Sequence, residues 1–445
     1  MGMVMVRFPG LLGVLEWPPD GGTNPRRPGD DMSFSRASPL RFRTLVASAA
    51  ILGAAGVVPV WTPASATPSY TRNEPAVAAA SPALVYLEMT YTGYVRDLAT
   101  GIPRYSEPLV IRRRCSGVVV NPDGDVLTTT VCVQPSDEIL LVNALYTLGR
   151  GLVTENRLTP DRLDAYVAGI KDTSTFSGLR PGSKPAVTLF GQFDDVTRAV
   201  IISPAIPGTV LATQPSDKGN AALVKLQLSN LPAVELTTSI DNPKPGTTVV
   251  ILGYGRVPDD NVGHIVRSRT VNVTGRTGTN RLGVSADIGP YSRGGAVVDP
   301  RGRLIALLDT DSAAPGDPNH DLITMLHLTR LLTQAGVTNQ LTDVDRAYRH
   351  ALDAYFAGRF SQAVSEFDRV LEQAPQRTAA RTYRDRARER LANEGDAVEN
   401  AGTWFDYVSS VALGVLIIVL LSVGARFLSR FRTQRNPPTG RPAGG

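Results

Sequence analysis

Four histidines, two cysteines and a scatter of carboxylates are the side chains of this 445-residue sequence with the widest chemistry. An imidazole serves as a general base near neutral pH, provided a nucleophile lies on one side of it and an orienting acid on the other. His264 and His327 fall in strand-like runs, where a packed ring is the commoner use; His320 and His350 complete the set. Asp195 and Asp287 are candidate carboxylates, although acids in turns usually cap the backbone. No His/Cys/Asp/Glu cluster has metal-ligand spacing, and no Gly-rich phosphate loop or paired-carboxylate arrangement stands out. Gly253-Tyr254-Gly255 reads as a strand-end turn. The expectation is therefore no metal and no small-molecule cofactor.

The elements that must carry these residues follow from composition and periodicity. The formal net charge of +5 is not spread evenly. Arg426, Arg430, Arg432, Arg435 and Arg441 crowd the C-terminal end without an acid, and the first 66 residues are also net basic, which leaves residues 67–425 slightly acidic. Basicity confined to the flanks of apolar segments sets membrane topology, so a nucleic-acid partner is not expected. Residues 45–60 form an apolar run after Arg41 and Arg43 and before Ala64-Ser65-Ala66, the order of a secretory signal. Cleavage and retention as an anchor both stay open, and Met32 would give a signal of ordinary length, with residues 1–31 an extra cytoplasmic arm. A transmembrane helix is expected over 404–427, because its uncharged core, 407–425, is long enough to cross the hydrocarbon layer. The basic tail, 428–445, then lies in the cytoplasm and the main domains outside it. This places the protein in the cell membrane.

Between these flanks, residues 67–82 are rich in Pro, Ala, Ser and Thr and read as a linker. Residues 83–338 are short Val/Ile/Leu/Thr-rich runs broken by turn residues, the pattern of an all-β barrel or sandwich. Asn121-Pro122-Asp123-Gly124 and Asp299-Pro300-Arg301-Gly302 mark hairpin turns. Within this region, 136–170 has apolar residues at helical spacing and reads as a helical insertion.

The order of segments resembles the trypsin-like serine protease superfamily, particularly its HtrA-type branch. SGVVVNPDGDVLTTTVCV at 116–133 resembles the family's His segment, and NAALVKLQLSNLPAVEL at 220–236 its Asp segment. GTTVVILGYGR at 246–256 resembles the strand that follows. IGPYSRGGAVVDPRGRLIALL at 288–308 resembles the nucleophile loop, and NHDLITMLHLTRLL at 319–332 the last strand and terminal helix. The resemblance implies a double β-barrel. It also implies a disulfide from Cys115 to Cys132, as expected of two cysteines in an exported domain; two buried thiols are the other reading.

Carried over position by position, the resemblance places Val131 where the family has His, Asn220 where it has Asp, and Arg293 where it has the nucleophilic Ser. Tyr291 stands at the oxyanion glycine. Valine accepts no proton, Asn220 brings no charge to an imidazolium, and a guanidinium is no nucleophile. Ser292 adjoins the nucleophile position but needs a base. The expectation is a pseudoprotease in which Tyr291, Ser292 and Arg293 are candidate cleft-binding residues, forming a cationic, aromatic-lined surface for an acidic or C-terminal peptide group; the other outcome is a vestigial cleft.

From 339 to 398 the chain turns Ala-, Arg- and Glu-rich with a helical period. AYFAGRFSQAVSEFDRVLEQAP at 354–375 resembles a tetratricopeptide repeat, with Gly358 at the turn and Ala363 and Phe367 at the small and large packing positions. Taken together, the reading is a membrane-anchored, extracytoplasmic binding or regulatory protein with a protein or peptide partner. The alternatives are an active serine endopeptidase with a non-standard site, and a structural stalk.

Overall fold

The first strand after the N-terminal flank organises everything that follows. The computed structural model describes residues 70–193, 205–239, 242–257, 263–275, 282–309 and 320–397. A short helix, α1 (Glu74–Ala80), leads into β1 (Leu84–Asp97), a 14-residue strand long enough to pair with three others. From Leu87 to Tyr91 it alternates, with Leu87, Met89 and Tyr91 buried, so one face belongs to a barrel core. β2 (Leu109–Val119) and β3 (Asp125–Thr129) follow across the Asn121–Gly124 turn.

One helical turn, α2 (Thr130–Val133), precedes the insertion, which holds two helices, α3 (Asp137–Thr154) and α4 (Leu163–Ile170). Ser136 starts α3 by accepting a hydrogen bond from Ile139 N–H at 3.3 Å. β4 (Ser174–Ser177), β5 (Ala186–Gln192), β6 (Ile206–Thr213) and β7 (Ala221–Leu226) complete the first sheet, ordered β2-β3-β7-β6-β5-β1-β4. Pairing of β1 with β2 closes it into a barrel.

The second barrel is built from β8 (Thr248–Arg256), β9 (His264–Gly275), β10 (Leu282–Val284), β11 (Ala296–Val298), β12 (Leu304–Asp309) and β13 (His320–Thr324). It closes in the order β10-β13-β12-β11-β8-β9. The architecture is mainly β, a double barrel followed by helices. The helix α5 (Met325–Ala335) returns to the first barrel with Leu328 and Leu331 in the shared core.

Three helices end the described chain: α6 (Asp343–Phe356), α7 (Phe360–Gln373) and α8 (Thr378–Glu394). Thr342 and Asp345 cap α6 reciprocally. Ala363 and Phe367 are fully buried where α7 meets its neighbours, and Tyr348, Tyr355 and Tyr383 fill the remaining core. Among the described residues no helix is long and apolar enough to cross a membrane. The expected signal segment and the expected span at 404–427 lie outside the described residues, as do the basic tail and Asp195.

The linker expected over 67–82 is corrected in its second half. Glu74–Ala80 is the helix α1, and Ala76, Ala78 and Ala80 are buried to 1% exposure or less. Small side chains let it lie as a wedge between the second barrel and α6, where Tyr348 Oη donates to Ala78 O at 3.0 Å. Gly302, in the β11–β12 turn at φ 72°, closes against it. A Cβ there would meet Ala79 Cβ at 2.6 Å and Ala76 O at 2.9 Å. Gly302→Ala combines a left-handed backbone with this clash, so a loss of about 2 kcal/mol is expected in urea unfolding, with the far-UV spectrum retained.

Candidate functional site

Positions 131, 220 and 293, which the resemblance aligns with a triad, come together where the two barrels meet. The turn α2 presents Val131, whose side chain is half-buried, and β7 begins immediately after Asn220. Asn220 sits at φ 54°, a left-handed conformation that asparagine tolerates better than most residues. Its carbonyl takes Thr130 N–H at 2.7 Å, and its side-chain Oδ1 takes Val131 N–H at 3.1 Å. The Nδ2 of the same side chain donates to Asp309 Oδ2, at the end of β12, at 2.7 Å. Asn220 and Asp309 are 5% and 8% exposed, so this bridge is shielded from water.

Arg293 stands in the loop before β11. Burial pushes its guanidinium down to about 10, neighbouring Arg113 adds to the fall, and Asp309 opposes it. The backbone of this loop is pinned to β2. Ser116 N–H donates to Arg293 O at 2.8 Å, and Ser116 Oγ donates to Tyr291 O at 2.8 Å. Gly294 follows at φ 76°, and a Cβ there would lie 2.4 Å from Ser116 O, so only glycine lets the loop approach this closely.

Tyr291 and Arg293 do not share a surface. Tyr291 turns toward Arg114, whose Nη1 donates to its hydroxyl at 3.2 Å and whose guanidinium lies 5.7 Å from its ring centroid. Its ring also meets Tyr86 edge-on at 6.1 Å, beside a stack of Tyr86 on His264 at 3.7 Å. Arg293 instead faces Arg113 and Asp309. Arg113 and Arg114 are consecutive on β2 and project to opposite faces of it. The single cationic, aromatic-lined surface expected from sequence is thus divided by a strand.

Ser292 is fully buried, and its hydroxyl donates to Gly289 O at 2.6 Å. It bonds to no imidazole among the described residues. His264 is buried at 2% exposure in the aromatic stack. His327 packs beside Gly219, and burial, aided by Arg330, holds its imidazole below the ordinary value, against the pull of the Lys218 carbonyl. His350 pairs with Glu366 in the helical hairpin, Nδ1 to Oε2 2.7 Å. No group of three or more His, Cys, Asp or Glu among the described residues is placed to hold a metal ion.

The disulfide from Cys115 to Cys132 is present, with Cα atoms 6.3 Å apart. It fastens β2 to the turn that carries Val131. Asp309 and Arg113 were absent from the sequence reading of the site. An acid closing the apolar run RLIALLD, and an arginine two residues before a paired cysteine, are the signals that pointed to them.

Residues 186–307 match the family model of the trypsin-like peptidase domain. That segment includes Asn220, Tyr291 and Arg293 of the trypsin-like domain and stops short of Asp309. No curated protein matches the chain. Among solved structures, the serine endoprotease from Yersinia pestis is similar at 16% identity and a TM-score of 0.35, over 60% of this chain and 67% of that one. The HtrA-type protease AlgW with decapeptide is similar at 17% identity and a TM-score of 0.35, over 59% and 67%.

Replacing Asn220 by Asp tests the bridge. Asn220→Asp sets two carboxylates across the 2.7 Å now spanned by a hydrogen bond. Their repulsion raises the folded-state pKa of the pair, so the folded state holds a proton that the unfolded state releases, and stability falls as pH rises. The variant is expected to lose about 3 kcal/mol near pH 7 and to recover most of it near pH 4 relative to wild type. Urea unfolding at both pH values measures this; an equal loss at both would remove the Asn220–Asp309 bond as its cause.

Proposed function

We propose that the chain is a membrane-anchored pseudoprotease whose trypsin-like domain, held outside the cytoplasm, acts as a protein- or peptide-binding regulatory module. The observation that carries this reading is the use made of the triad positions. Val131 offers only a backbone N–H to Asn220, and Asn220 spends its donor on Asp309. Groups that would move a proton in an enzyme here make static hydrogen bonds. Arg293, where the nucleophile would stand, is a cation that neither attacks a carbonyl nor yields a leaving group. It lies beside Arg113 and Asp309, a charged group without a nucleophile, which supports recognition over turnover. In this reading the signal segment directs export, the span at 404–427 supplies the anchor, and the tetratricopeptide-like hairpin stands next to the membrane.

The family match over 186–307 is the observation that favours the alternative, an active endopeptidase. Ser292 would have to be its nucleophile, and Ser292 is buried with its proton directed at Gly289 O. A fluorophosphonate probe separates the two readings. The purified full chain is expected to take up no more probe than its Ser292→Ala variant; stoichiometric labelling that disappears in the variant would overturn the binding reading.

A further inference from the structure

Both ends of the described chain come out at one place, the turn between α6 and α7. Tyr70 packs edge-on against Phe356, the last residue of α6, with ring centroids 5.0 Å apart. At the other end, Ala397 donates its N–H to Gly358 O at 2.9 Å. Asp396 fixes this exit. One of its oxygens accepts Ser361 N–H at 2.8 Å, in the first turn of α7, and the other takes the Ser361 hydroxyl. The first N–H groups of a helix need acceptors from outside it, so the departing chain is built into the start of α7.

The first barrel is joined at the opposite end of α6. Asn339, just before that helix, donates through Nδ2 to Val120 O at 2.6 Å and to Val234 O at 2.8 Å. The 14 residues of α6 make it about 21 Å long. Beyond the far end of the hairpin the tether is short. Residues 398–403 alone separate Ala397 from Trp404, where the expected span begins. A chain extends by at most about 3.5 Å per residue, so the α6–α7 turn stays within about 25 Å of the membrane. Bringing the Asn339 end to the membrane would require the tether to run back along α6, which consumes nearly all of that reach.

We propose that the α6–α7 turn is the face the protein lays on the bilayer, with Tyr70 and Phe356 at the level of the lipid headgroups and the start of α6, carrying the first barrel, turned away. This rests on the membrane-anchored reading above and adds to it the surface that meets lipid. Tyr70 is 39% exposed, among the more exposed large apolar side chains of the described residues. A ring with a polar tip is the type of side chain that settles at a membrane–water interface. Arg72, Asp353 and Arg359 lie close to the pair in sequence and bring charges of both signs, so the aromatic contact sets the choice of lipid and a zwitterionic bilayer suffices.

The two cysteines of the chain are joined to each other, so an added cysteine is its single reactive thiol. Ala357→Cys places one on the α6–α7 turn, and Gln376→Cys places one on the turn between α7 and α8, a helix length away; both positions are exposed. Each full-length variant is labelled with a nitrobenzoxadiazole fluorophore and reconstituted in phosphatidylcholine vesicles with and without a headgroup-nitroxide lipid. The label at 357 is expected to lose most of its emission to the nitroxide, and the label at 376 to keep most of its own. An alkaline wash of the vesicles precedes the measurement. Release of the chain by the wash would overturn the anchored reading and the proposal with it. Retention of the chain with equal quenching at the two positions, stronger quenching at 376, or none at either would overturn the proposal alone.

Discussion

The side chain of Asn220 joins the two barrels, and the arrangement of the cleft depends on its being an amide. A carboxamide accepts with one atom and donates with the other. Asn220 uses Oδ1 to hold Val131 N–H in the first barrel and Nδ2 to reach Asp309 in the second. An ionised carboxylate at this position accepts only, and would stand against Asp309 as a like charge. An amide at position 220 is therefore what admits an acid at the end of β12. That acid in turn offsets part of the cost of burying Arg293. The departures at these positions are electrostatically linked.

The loop that would aim backbone N–H groups at a reacting carbonyl in an enzyme is tied down by the same economy of hydrogen bonds. Ser116 is central. Its backbone holds Arg293 O, its hydroxyl donates to Tyr291 O, and Tyr254 N–H donates to that hydroxyl at 2.8 Å. Tyr291 then closes the far side of β2 by packing on Tyr86 under Arg114. Its phenol gains a charged donor and an aromatic neighbour, so the bulky Tyr291 is accommodated against β1 and β2. The disulfide holds the opposite wall through α2. The loop is thereby held from both sides, by hydrogen bonds to β2 and by the covalent link to α2.

Much of this was legible in the sequence, for identifiable reasons. Runs such as TTVVILGYG and the turn at Asn121–Gly124 carry local signals, because β-branched residues and turn glycines act within a few positions of themselves. The aligned order of segments located Val131, Asn220 and Arg293, and the structure brings the three together at the barrel junction. What escaped was set by tertiary contact. EPAVAAA has neither an amphipathic period nor a strong cap, and it becomes a buried helix only because Gly302 and Tyr348 make room for it. The division of Tyr291 from Arg293 depends on which face of β2 each neighbour occupies, and a linear motif does not encode the face. The partnership of Asn220 with Asp309 spans 89 residues, a separation over which periodicity says nothing.

The same reasoning explains how the helices α6 to α8 bury their apolar faces. Repeat units bury their apolar faces on neighbours, and a lone unit leaves such a face open. Here the neighbour is supplied by another part of the chain. α1 lies along α6, Arg349 reaches across to the carbonyls of the β11–β12 turn, and Arg377 binds Asp345 at 2.9 Å to hold α8 onto α6. The helices α6 to α8 are in this way packed on α1 and on the second barrel. The contact has a physical consequence. It fixes the turn between β11 and β12, because Arg349 holds the carbonyls of Arg301 and Gly302.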